Sequence, residues 1–222
     1  MQTYGELVYL ILDELKLTSD DRQFEEDHII TLITQYRNLL LKQRYSDIRR
    51  EMPVSNLQSI NITLSIEDTI LKSNMPLPTI LNLNVQNLTT ISSISTFWQG
   101  EFSFIDYNQF RYTGYNRWLN SIVYVTIGPD GYLYCKSNNL SFLQLTDITV
   151  TSIFENPIAV YKLSSPIDNT SDLSILDTII PVEGNLIPII KELVIKELSP
   201  VIYKPNDEVN NSADDLNKMG VK

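Results

Sequence analysis

Phe24-Glu-Glu-Asp-His-Ile-Ile-Thr-Leu-Ile-Thr-Gln-Tyr-Arg-Asn-Leu-Leu-Leu-Lys-Gln-Arg-Tyr-Ser-Asp-Ile-Arg-Arg50 decides how this chain is read. Ile29, Ile33, Tyr36, Leu40 and Arg44 recur at spacings of three and four, with Ile30, Arg37 and Leu41 alongside. That period predicts one long amphipathic helix with a single buried stripe. Its start is acidic and its end basic, so both ends complement the helix macrodipole. Toward the N-terminus, Thr3 and Glu6 have the spacing of a capping box, in which hydroxyl and carboxylate each satisfy an orphan backbone N–H. Leu7, Leu10, Ile11 and Leu15 then give a helix from Thr3 to Lys16. The polar break Leu17 to Asp21 is short enough to make the two helices antiparallel neighbours. Pro53 closes the second, because its ring disfavours helical geometry at Met52. Far downstream, Leu186, Ile190, Leu193, Val194 and Leu198 mark a third helix, with Pro188 in its first turn and Pro200 stopping it.

Between these helices the period becomes alternating. Leu57 to Ile66, alternating from Ile60 onward, reads as a half-buried strand, and Ile80 to Ser95 fits another. Met75-Pro-Leu-Pro78 is extended but excluded from a central strand. Gly128-Pro-Asp-Gly131 is a turn: proline presets the first torsion, and the last glycine accepts the left-handed position that closes a hairpin. Aromatics follow one another from Phe102 to Tyr115, and Leu145 to Phe154 alternates again. The middle therefore reads as a small antiparallel β-domain of roughly six to eight strands. Pro166 to Pro181 is an irregular connector. The expected fold is α+β, a helical bundle formed by 1–52 and 186–222, with 53–185 inserted as the β-domain and connector.

The 27 acidic residues against 17 basic ones leave a net charge of -10, which argues against gripping nucleic acid over an extended surface. One cysteine, Cys135, excludes an internal disulfide, and the lone His28 offers no metal constellation. Cys135 reads as a small buried hydrophobe and His28 as a surface or packing residue. Seven glycines never cluster into a phosphate loop. No run approaches the roughly 18 apolar residues of a membrane span, and the start lacks a basic, then apolar, leader. Glu25, Glu26 and Asp27 read as a solvated helix start. Glu101 and Asp106 are the pair that a carbohydrate-active hydrolase would need. The run Tyr107 to Tyr124, with Arg111, Tyr115, Arg117 and Trp118, has the residue types that dominate interface centres. The same residues equally suit the aromatic core and rim of a sheet, or a glycan- or receptor-binding β-module. No catalytic, cofactor or metal set emerges, so the expectation is a protein that is not an enzyme.

Leu7 to Asp21, Glu26 to Ile30, Tyr36-Arg37, Leu40 to Ile48, Phe110 to Asn120, Ile153-Phe-Glu-Asn-Pro157 and Val201 to Asn211 together resemble a structural protein of crAss-like bacteriophages. The resemblance spans nearly the whole chain and is to head–tail adaptor, or connector ring, proteins beneath the portal. It implies assembly in the host cytoplasm into a homo-oligomeric ring, twelvefold like the portal. That ring would touch the portal and other connector or tail proteins in the virion, and genome DNA would pass through without sequence-specific binding. Ring subunits need two complementary side faces. Arg37, Arg44, Tyr45, Arg49 and Arg50 are the expected subunit or portal interface. Arg111, Tyr115, Arg117 and Trp118 are the expected β-domain interface. The tail with Asp207, Glu208, Asp214 and Asp215 is expected to order on assembly.

Overall fold

A seven-stranded sheet, rather than a helical bundle, organises this protein. The computed structural model describes residues 2–18, 24–46, 51–83, 90–93, 100–164 and 175–199. Its helices are α1 (Tyr4–Thr18), α2 (Glu26–Arg44), α3 (Tyr107–Phe110), α4 (Pro157–Ser164) and α5 (Ile187–Leu198). Its strands are β1 (Gln58–Glu67), β2 (Ile70–Ser73), β3 (Thr90–Ser93), β4 (Glu101–Phe104), β5 (Ile122–Ile127), β6 (Leu133–Lys136) and β7 (Asp147–Ser152). They run in the order β3-β7-β1-β2-β6-β5-β4, and the two outer strands return beside one another, so the sheet is nearly closed.

Strand β1 joins the two halves of this curl. Gln58 to Thr63 pair with β7, while Leu64 to Glu67 pair with β2. Its alternation puts Ile60 and Ile62 inward, opposite Val150 and Ile148 of β7. Val125 and Leu71 flank Cys135 from either side in the same way. Phe142, Leu145, Phe154 and Val160 complete that core. Short strands with one apolar face bury it by curling the sheet on itself, without needing a bundle beside them.

The expected fold class is thus corrected. The sheet is neither small nor wholly antiparallel, since β4 runs parallel to β5. The crossover that carries α3 is long enough for that parallel return. Two helices, α3 and α4, also arise inside the stretch expected to be β, and α4 packs on β1. Helices α1, α2 and α5 pack together, but their core is completed by Leu81, Leu83, Ile153, Ile180 and Val182.

Local expectations fare better. Thr3 and Glu6 form the reciprocal capping box, each bond 3.2 Å. Helix α2 buries Ile29, Ile30, Leu32, Ile33, Arg37 and Leu41, so the stripe is rotated from the one expected and Tyr36 and Leu40 sit at its margin. The Gly128–Gly131 turn joins β5 to β6, with Gly131 at φ +79°. Among the described residues, no helix is long and apolar enough to cross a membrane.

Candidate assembly interface

Alternation in β6 turns Leu133 and Cys135 inward, which leaves Tyr134 and Lys136 on the outer face. There they meet α3 and the loop after it, around a hollow of about 670 Å³ lined by Tyr107, Phe110, Arg111, Tyr112, Tyr115 and Lys136, among others. Gly114 makes this possible. At φ +82° it adopts a backbone conformation that suits glycine, and a Cβ there would come within 3.2 Å of the Lys136 stem. The close approach brings the Lys136 ammonium to 4.2 Å from the centre of the Tyr115 ring.

Beside the hollow, Lys72 of β2 lies 4.7 Å from the Tyr132 ring centre and 5.4 Å from that of Tyr134, and pairs with Glu67 at 3.6 Å. The Tyr134 hydroxyl donates to Asp130 at 2.6 Å. That bond holds the Asp130 carboxyl below its ordinary range and pushes the Tyr134 hydroxyl up. Trp118 is 92% exposed, Tyr112 79% and Tyr115 72%, which is unusual for side chains of this size.

Of the expected β-domain interface, Arg111 and Tyr115 therefore line one hollow and Trp118 stands exposed nearby in sequence. Arg117 lies in a short 3₁₀ turn whose start is capped by Asn116. The cations Lys136 and Lys72 were missed from the sequence, although the alternation Leu133-Tyr-Cys-Lys136 carries the signal for the first.

The helix α2 set separates. Arg37 is wholly buried. Its Nε donates to the Pro181 carbonyl at 2.9 Å, and its Nη1 to the Phe154 carbonyl at 3.0 Å and to Asn38 Oδ1 at 2.9 Å. Burial pushes this guanidinium down to about 10. Burial likewise pushes the neighbouring Tyr4 and Tyr161 hydroxyls up. Arg37 thus ties α2 to the exit of β7 and to the segment before α5, and offers no charge to a neighbour. Arg44 pairs with Glu183 at 3.2 Å and is partly exposed. Tyr45 is buried at the end of α2, its amide donating to the Leu41 carbonyl. Arg49, Arg50, Asp207, Glu208, Asp214 and Asp215 lie outside the described residues.

Glu101 and Asp106, the candidate hydrolase pair, are both exposed, and neither lines the hollow. Cys135 is wholly buried, and burial pushes its thiol far above its ordinary range. Among the described residues no group of three or more His, Cys, Asp or Glu could hold a metal ion.

A surface of exposed tyrosine, tryptophan and arginine is the kind that protein–protein contacts use. Comparison with known proteins agrees with an assembling protein. Ring protein 2 of Bacteroides phage crAss001 is 40% identical over 224 residues, covering 96% of this chain and 98% of that relative. The family described as phage tail ring protein 2 matches residues 6–216, and the chain belongs to it. The resemblance to ring proteins of crAss-like phages is thereby established, and the protein is a structural ring protein of a phage tail.

Proposed function

We propose that this protein forms a homo-oligomeric connector ring at the head–tail junction, directly beneath the portal, twelvefold like the portal it meets. The ring joins capsid to tail and passes the genome through its lumen without sequence-specific contact, and its work is mechanical rather than catalytic. Assembly takes place in the host cytoplasm. Supporting this reading is family membership over nearly the whole chain, in a protein whose α3 and the segment after it carry large aromatics exposed to solvent. The acidic balance suits a lumen, because carboxylates repel phosphate and keep DNA from sticking.

The test is a map of the intact particle, together with electron microscopy of the purified chain mixed with portal rings. The expected result is density for this chain as a closed ring against the portal, matching it in copy number. Density placing the ring in the tail away from the portal, or a different copy number, would overturn the connector assignment.

A further inference from the structure

We propose that the hollow between α3 and β6 receives the exposed acidic start of α2, Glu25-Glu26-Asp27, from a second copy of this chain, so that successive copies join head to tail. The inference rests on the ring reading above and names the two faces it requires.

Charge complementarity points to this occupant. Arg111 and Lys136 line the hollow and make no ion pair among the described residues, on a chain of net charge -10. Glu25, Glu26 and Asp27 are all exposed and also lack an ion pair among the described residues. They form the densest carboxylate run in the described chain, whereas Glu14, Glu67 and Glu183 each have a cation of their own. The helix dipole offsets only about half a charge at that end, so a clear negative excess remains.

Placement makes the contact one between copies. The start of α2 belongs to the core of α1, α2 and α5, whereas the hollow lies on the outer face of the sheet. A contact between two different faces, repeated by rotation, closes into a ring. Once seated, the carboxylates would leave water for a wall of tyrosine rings, where each charge–charge attraction strengthens.

The experiment uses the full chain, purified and in particles. The double reversal Arg111→Glu with Lys136→Glu should reduce self-assembly at least about tenfold, as should Glu25→Lys with Glu26→Lys, while combining all four should restore it. Melting temperatures within a few degrees of wild type show that the substitutions, three at exposed positions and one at half-buried Lys136, leave the fold intact. As an independent readout, Tyr115→Cys combined with Glu26→Cys should give a ladder of disulfide-linked multimers under mild oxidation, since the native Cys135 is sealed inside.

Rings that form normally without a ladder, or a fourfold variant that fails to recover, would overturn the proposed pairing and leave the ring reading standing. One-sided variants that self-assemble normally but lose a portal, tail or glycan contact would assign the hollow to another occupant, and the proposal would fail. Absence of any ring in wild-type particles would remove both readings together.

Discussion

Arg37 and Arg44 show how differently two arginines of one helix behave. Arg37 supplies donors to two backbone carbonyls from a wholly buried position, so Arg37→Ala leaves those carbonyls unmatched beside a cavity. We expect a loss of about 3–5 kcal/mol, read by denaturant unfolding. Arg44→Ala, which removes a partly exposed ion pair, should change stability by no more than about 1 kcal/mol. Sequence could not separate them, because both are charged residues on the margin of one apolar stripe, and burial is decided by what the stripe meets. Cys135 was easier, since strand alternation alone turns it inward. Its thiol stays protonated in the fold but ionises near 9.0 when unfolded. The folded pKa is raised, so this contribution is full below that pH and is lost above it, at up to about 1.4 kcal/mol per pH unit. Cys135→Ala should therefore be less stable at neutral pH yet decline less steeply between pH 9 and 11, as thermal melts across that range would show.

Elements with a strong period were legible, and those with competing signals were not. Helices α1, α2 and α5 and the β5–β6 hairpin follow from spacing, capping and turn chemistry. Helix α4 was missed, although Asn156 Oδ1 accepts from the amides of Ile158 and Ala159, and Pro157 opens the helix. That start signal is local, but its eight residues carry too short a period to outweigh the strand before them. The parallel β4 was illegible for another reason. Pairing direction depends on where the chain travels between strands, and no local residue records it. On α5, Val194 is wholly buried and Leu193 only partly. Val194→Asp should unfold the protein under native conditions, because an unpaired buried carboxylate costs several kcal/mol, comparable with total stability. Leu193→Asp should lower the melting temperature and leave the chain folded. Circular dichroism distinguishes the two outcomes.

At the scale of the molecule, the outer aromatics are large side chains that a single copy leaves exposed. Trp118→Ala with Tyr112→Ala should shift the subunit's stability by less than about 0.5 kcal/mol, since exposed positions contribute little to folding. Incorporation into particles should fall, as truncating aromatic anchors at an interface weakens association by about 2 kcal/mol or more. Sequence exposed the residue types of this surface but not its shape, which required β2, α3 and β6 to converge from distant stretches. A last consequence concerns time. Helices α1 and α2 close the chain's first 44 residues, yet their partner α5 ends at Leu198. On a ribosome adding 5–20 residues per second, the early pair waits roughly 8–30 s for its third member. During that interval the apolar stripes of α1 and α2 lack the cover that α5 supplies. Nascent subunits therefore pass through a sticky stage whose length is set by translation speed, and slowing synthesis across the sheet should raise the fraction that aggregates before any ring can form.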